Sequence, residues 1–237
     1  MNKKIVAFLD KTFYPEMESG WDDKIFRQEI LNFIGPDKVI LDIGAGRGRI
    51  LEMNFKDLGK KVYGVDPTNE IFENPLIDKA YVGVGDSMPF FENDYFDVVF
   101  CDNVLEHVEN PEAFYKEVSR VLKKNGIFLA KTPNKYHYMP LIASFTPTSF
   151  HRFYNKLRGR DFSDTFPTFY RANSRKAYEK HAAASGLELL PLKYCSGRPE
   201  YLRIFFLTYL LGILYEKTIN LLRLDSLKVV IISKMSK

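Results

Sequence analysis

The sequence predicts an α/β fold built on a seven-stranded, mostly parallel sheet with helices on both faces. Three observations predict it. Short apolar runs of strand type alternate with helical periodicity from Val39 to Lys131, a glycine-rich turn directly follows the first run, and strand-like runs resume after Gly186.

The elements follow in order. Asp22 to Ile34 carries Ile25, Phe26, Ile30, Leu31, Phe33 and Ile34 at helical spacing and stops at Gly35-Pro36, so residues 1–36 read as an N-terminal helical cap. Val39-Ile40-Leu41-Asp42-Ile43 is the first strand. Ile50, Leu51 and Leu58 after the glycine turn predict a helix closed by Gly59. Lys61 to Asp66, Ala80 to Val84 and Phe96 to Cys101 are the next strands. A helix from Val104 to Lys123 follows, with Pro111 marking a break or a new first turn, and Gly126 to Lys131 is the fifth strand. Residues 37–133 thus form the core.

Residues 134–173 lose periodicity and fill with Tyr, Phe, His, Pro and Arg, the composition of a long lid-like insertion. A helix from Ser174 to Ser185 ends at Gly186. A strand from Leu187 to Leu192, an apolar helical insertion over 200–222 and a last strand from Leu227 to Ile232 complete residues 174–237. No Pro-, Gly- or Ser-rich linker divides the chain, so 1–237 reads as one domain with elaborations.

Composition excludes several classes. Thirty-four basic residues against 30 acidic, with no long single-sign run, do not make a nucleic-acid footprint, so no nucleic-acid partner is expected. Cys101 and Cys195 form neither a metal-ligand spacing nor a disulfide framework, and the apolar stretch after Lys3-Lys4 is too short for a signal peptide. A cytoplasmic location follows. Tyr201 to Leu214 is nearly all apolar yet short of the about 20 residues a spanning helix needs. It either covers the sheet, the commoner use, or makes a peripheral membrane contact.

The chemistry sits in Asp42-Ile43-Gly44-Ala45-Gly46-Arg47-Gly48-Arg49. Arg49 stands where a dinucleotide fingerprint requires its third glycine, and no Gly-Lys-Ser/Thr ending makes it a P-loop. Asp66, at the end of the second strand and followed by Pro67, lies 20 residues beyond Gly46, where such folds place a carboxylate on ribose hydroxyls. Gly85-Asp86-Ser87 follows the third strand. Asn103-Val104-Leu105-Glu106 has the spacing of a reciprocal helix cap, which is the preferred reading of Glu106.

This acidic-x-Gly-x-Gly-x-Gly arrangement, with the segments that follow it to about residue 133, resembles class I S-adenosylmethionine-dependent methyltransferases. The resemblance implies a Rossmann-like sheet whose last strand is antiparallel, and S-adenosylmethionine as cofactor. It implies a cofactor set of Asp42, Gly44, Ala45, Gly46, Gly48, Asp66, Pro67, Asp86, Ser87 and Asn103. Asp42 would face the amino group, Asp66 the ribose and Asp86 the adenine. His107 is the candidate catalytic residue, an imidazole able to take a proton from a hydroxyl under methylation, or alternatively a packed histidine bonded to backbone.

The post-strand loop is similar to that of ubiquinone-biosynthesis-type O-methyltransferases, in which Glu-x-x-Glu-His can hold a divalent metal. Here Asn103 replaces the first Glu. Glu106 and His107, adjacent on a helix, point about 100° apart, so no metal is expected. The aromatic and basic insertion resembles methyltransferases of bacterial glycan and envelope biosynthesis. That likeness implies a small-molecule, saccharide or lipid-linked acceptor, with O-methylation as the leading reaction. His151, Tyr170 and Arg171 are the candidate substrate contacts; the bland alternative is that the aromatics pin the insertion to the core. The competing function is a non-catalytic S-adenosylmethionine-binding module in a complex.

Overall fold

The computed structural model describes residues 2–15, 17, 20–145, 166–203 and 205–237. These residues include eight strands: β1 (Val39–Ile43), β2 (Lys61–Asp66), β3 (Lys79–Val82), β4 (Phe96–Asp102), β5 (Leu122–Pro133), β6 (Glu188–Leu189), β7 (Lys193–Cys195) and β8 (Val230–Ser236). The helices are α1 (Asn2–Phe13), α2 (Trp21–Leu31), α3 (Pro111–Val121), α4 (Tyr138–Phe145), α5 (Arg175–Ala184) and α6 (Phe206–Leu221).

The sheet order is β3-β2-β1-β4-β5-β8-β6, with β7 paired to β8. The first five strands are parallel, from Tyr63 beside Lys79 through Ile40 beside Val98 to Val98 beside Ile127. β6 and β8 run antiparallel, Glu188 opposite Ser236. Parallel strands require crossovers; α3 lies in the one between β4 and β5, and short 3-10 turns lie in those after β1 and β2. Strand order reverses between β1 and β4, and such a switch point opens a crevice beyond the carboxyl ends of the strands. Ile40, Leu41, Val98, Val99 and Phe100 are fully or almost fully buried, as expected of continuous apolar runs in a covered parallel sheet.

Three sequence expectations need correction. The helix expected between Ile50 and Gly59 is a single 3-10 turn, Leu51–Met53. Arg27 Nη1, from α2, donates to the carbonyls of Glu52 and Asn54, each at 2.6 Å, and Asn54 Oδ1 accepts from the Lys56 amide, so groups a longer helix would use are taken by other partners. Leu51 and Leu58 are exposed rather than forming a buried face.

The helix expected from Val104 begins in earnest only at Pro111, with Asn110 as N-cap accepting from the Ala113 amide at 3.2 Å. Proline belongs at a first helical position because its missing N–H is not needed there. The strand expected over Leu187 to Leu192 is only the two-residue β6, and a separate short strand, β7, follows beyond it from Lys193. Leu190 still donates to Lys234 O, but Pro191 has no N–H to continue the ladder, so an eighth strand results.

The chain packs as two compact units, each made of discontinuous segments. One comprises Asp22–Thr132, Thr168–Lys193 and Ile231–Lys237 and contains the sheet core. The other comprises Met1–Trp21, Pro133–Pro167 and Tyr194–Val230, gathering most of the segments read as cap, lid and helical insertion. Within it Val6, Leu9 and Tyr14 form a core with Tyr209 and Ile213, and the buried His137 Nε2 lies 3.0 Å from Glu216 Oε1.

Candidate cofactor and active site

The glycine turn leaves the carboxyl end of β1, a central strand, through three positive φ values, +82° at Gly44, +48° at Gly46 and +74° at Gly48. L side chains rarely adopt this region. Space is also closed: a Cβ on Gly44 would stand 2.3 Å from Val104 Cγ2. The turn is fixed on both sides. Gly44 N donates to Val65 O at 2.7 Å, and Gly46 N donates to Asp66 Oδ2 at 3.0 Å. From beneath, Asn74 Nδ2 donates to the carbonyls of Ala45 and Gly46 at 2.9 and 3.1 Å, while its Oδ1 accepts from Leu76 N at 2.8 Å.

Carboxylates converge on this turn. Asp42 is buried, and loss of solvent pushes its carboxyl well above the usual range, with the charges of Asp102 and Asp66 adding. Asp66 Oδ1 accepts from the Thr68 amide at 2.9 Å and the Thr68 hydroxyl at 2.7 Å. A carboxylate offers about four lone-pair sites in all, and these bonds occupy three of them. Pro67 follows, exposed. Asp86 is half-buried and Ser87 exposed, in a turn closed by Ser87 N donating to Val84 O at 3.1 Å.

At the end of β4, Asp102 meets a residue whose identity gave no hint of burial. Lys131 in β5 is completely buried, 3.0 Å from Asp102 and 2.9 Å from Asp22, and also pairs with Asp23. Burial opposes the ammonium, but the three carboxylates outweigh it and hold the lysine above its ordinary value. Asp102 is pushed up to about 7, because burial exceeds the pull of Lys131 and the two aspartates of α2 oppose its charge. Asn103, exposed with φ +52°, donates its Nδ2 to Asp102 Oδ1 at 2.9 Å and its backbone N–H to Lys131 O.

Glu106 is not a helix cap. It is buried in the 3-10 turn Leu105–His107, and its Oε2 accepts from the Thr132 hydroxyl at 2.8 Å; Asn173 Nδ2 in turn donates to Thr132. The Glu106 carbonyl accepts from the amides of Phe169 and Tyr170 at 2.7 and 3.2 Å. One glutamate therefore bolts the returning end of the long insertion to the turn after β4. His107 is half-buried beside it. Tyr170 is held at φ +50°, and Arg171 donates to Glu109 O and lies 5.1 Å over the Phe169 ring. His151 lies outside the described residues.

Of the residues read from sequence, the structure brings Gly44, Ala45, Gly46, Gly48, Asp42 and Asp66 into one constellation. Asn74 and Lys131 join them without a sequence signal. Asn74 carries no spacing pattern of its own, and a lysine between Ala130 and Thr132 reads as an outward-facing strand residue.

An open α/β sheet with a glycine turn and acidic residues at its switch point is the arrangement of a nucleotide-binding fold. Residues 41–130 match the family described as methyltransferase domain, and this segment is a class I S-adenosylmethionine-dependent methyltransferase domain.

The ubiquinone biosynthesis O-methyltransferase of Rhodopseudomonas palustris (strain BisB5) is 33% identical over 102 residues, 40% of this chain and 40% of that protein. The chain thus spans about two fifths of the length of the curated relatives it matches. Among solved structures, YcgJ of Bacillus subtilis aligns with a TM-score of 0.57 at 19% identity, covering 90% of this chain and 98% of that one. A geranyl diphosphate C-methyltransferase from Streptomyces coelicolor A3(2), in complex with Mg2+, geranyl diphosphate and S-adenosyl-L-homocysteine, aligns at 0.56 and 17% identity, covering 99% and 82%.

Proposed function

We propose that this chain is an S-adenosylmethionine-dependent methyltransferase acting on a small-molecule acceptor, and that the reaction is O-methylation of a saccharide or lipid-linked compound. One observation carries the cofactor assignment: a backbone cradle that a Cβ at Gly44 would close lies beside the buried, mutually repelling carboxylates Asp42, Asp66 and Asp102. Such a set fits a cationic ligand, and S-adenosylmethionine carries both an ammonium and a sulfonium. Asp42 would balance the ammonium, Asp66 would accept from a ribose hydroxyl at its remaining lone-pair site, and the turn after β3, Asp86 with Ser87, would face the adenine. Pro67 and Asn103 would complete the rim.

When bound, the cofactor supplies a methyl group on a sulfonium that is already its leaving group. The chain must then align an acceptor and exclude water, and positioning of this kind supplies about 7–11 kcal/mol. His107 stands in the turn after β4 as the group that takes a hydroxyl proton, and Tyr170 and Arg171 enter through the segment bolted to Glu106. His151 is proposed as a third acceptor contact. The oxygen acceptor is supported by the kind of relative matched, an O-methyltransferase of ubiquinone biosynthesis. The cytoplasm is the proposed location, and Cys101 and Cys195 are both free thiols.

Calorimetric titration with S-adenosylmethionine and S-adenosylhomocysteine tests the reading first. Submicromolar to micromolar binding of both is expected; binding of neither sinks it, and binding without turnover on any sugar, quinol or lipid-linked hydroxyl favours the non-catalytic module. For His107→Ala, turnover should fall by about 10²–10⁴ with cofactor affinity kept. Unchanged turnover removes His107 from the chemistry.

A further inference from the structure

The first nine residues of the helix α6, Phe206 to Leu214, are apolar except for Thr208 and Gly212, yet only one side of the helix is covered. Tyr209, Gly212, Ile213, Glu216 and Ile219 face inward and are buried. A Cβ on Gly212 would stand 2.6 Å from Pro199, so the packing there is close. Part of the covered side belongs to α1. Val6, Leu9 and Tyr14 pack with Tyr209 and Ile213, and Asp10 fastens the arrangement by bonding Tyr209 and Arg203.

On the other side Leu207, Leu210, Leu211, Leu214 and Leu221 recur at helical spacing, and Leu207, Leu211 and Leu214 are each more than 60% exposed. An apolar helix in a water-soluble core buries its full circumference, and an exposed contiguous stripe marks a docking surface. The helix α1 adds Ile5 and the 67% exposed Phe8 on its own outward side, next to Lys4 and Lys11.

Charge decides what the surface fits. The acids of these two helices are both engaged inward, Asp10 with Arg203 and Tyr209, Glu216 with His137. Among the described residues, the exposed charges of α1 and α6 are therefore Lys4, Lys11 and Lys217, the last donating to Phe13 O, while just beyond α6 the exposed Arg223 is followed by Asp225, which pairs with Lys228. A second copy would set lysines against lysines across an apolar seam. An anionic lipid surface would meet both needs at once, taking leucines into its acyl boundary and lysines at its headgroups. No helix among the described residues is long and apolar enough to cross a membrane, so the mode is lying on the surface.

We propose that α1 and α6 together form an interfacial docking face for membranes rich in anionic phospholipid, with the Leu207–Leu221 stripe as the inserted edge and Lys4 and Lys11 as headgroup contacts. This narrows the apolar Tyr201 to Leu214 segment from a choice between core and membrane to a two-helix face, and it stands whether or not methyl transfer does.

The test is sedimentation of the full chain with vesicles of phosphatidylcholine alone and of phosphatidylcholine mixed with phosphatidylglycerol. The protein should pellet with the mixed vesicles and release as salt is raised. Leu211→Glu with Leu214→Glu should cut partitioning at least about tenfold. Lys4→Gln with Lys11→Gln should cut it roughly thirtyfold on anionic vesicles while leaving the apolar stripe and the fold intact, which keeps the test decisive if the leucine variant does not fold. Protein left in the supernatant with both vesicles, or partitioning indifferent to the lysine variant, overturns the proposal. So does a sedimentation-velocity dimer that the leucine variant converts to monomer, since the face would then belong to a second copy.

Discussion

The side-chain amide of Asn74 donates to the carbonyl of Ala45 across 2.9 Å, so a residue 29 positions downstream fixes the height of the glycine turn. The same amide reaches Gly46 O, and the Asn74 carbonyl holds Leu76 N, which spends the whole side chain on backbone. Asn74→Ala leaves these groups without their partner at a cost of about 1–3 kcal/mol. Melting should drop by roughly 2–4 °C per kcal/mol, and cofactor affinity by about tenfold, because the turn loses its support. Calorimetric titration and a thermal melt check the two halves separately. A variant that melts lower but binds unchanged would make Asn74 structural only.

What was legible in sequence follows from how local each signal is. The strands β1, β2 and β4 announce themselves as apolar runs, and the glycine turn after β1 is recognisable because three left-handed residues in alternation need glycine whatever surrounds them. The features that were missed depend on distant partners. Leu51 and Leu58 look like a helical face until Arg27, from another helix, takes the carbonyls of Glu52 and Asn54. Glu106 looks like a cap until Thr132 and Asn173, 26 and 67 positions away, claim it for a buried network. Lys131 has the identity of a surface residue and becomes interior only because Asp22, Asp23 and Asp102 are brought to it by two other elements.

Gly44 separates conformational from spatial need. At φ +82°, an L residue costs about 1–2 kcal/mol from the backbone alone, and a Cβ there would also meet Val104 at 2.3 Å. Gly44→Ala should therefore reduce S-adenosylmethionine affinity by more than tenfold. Gly35, where an added Cβ would meet nothing within 4 Å, is the matched control, and Gly35→Ala should be neutral or slightly stabilising. Equal binding by both variants in calorimetry would mean that the turn does not touch the cofactor.

The Lys131 cluster predicts strong non-additivity. Lys131→Met removes the cation paired with the buried Asp102, while Asp22 and Asp23, which are partly exposed, can return to water. Breaking a buried pair costs about 3–5 kcal/mol, and adding Asp102→Asn should restore much of that loss. Denaturant unfolding of the two single variants and the double variant measures the coupling. The sign with pH follows from the same group: a carboxyl raised in the folded state favours folding when protonated. Its contribution is complete below the ordinary aspartate range and is lost as pH rises through about 7. Additive losses in the cycle would show that Lys131 and Asp102 do not depend on each other.

Cofactor affinity should itself depend on pH, with a sign set by Asp42. Burial first, then Asp102 and Asp66, raise its carboxyl in the free protein, so a fraction of it is protonated where an ordinary aspartate is not. A bound cation favours the ionised form, so binding expels a proton and weakens as pH is lowered. Asp102, pushed up to about 7, adds to the same trend if the ligand's field reaches it. As pH falls through about 7, where Asp102 titrates, affinity for S-adenosylmethionine should fall by up to about tenfold per pH unit for each proton displaced. S-adenosylhomocysteine keeps the ammonium but lacks the sulfonium charge, so its fall should be shallower. Titrations in two buffers of different ionisation enthalpy count the protons directly, and equal heats in both would mean that no carboxyl changes its charge when the cofactor arrives.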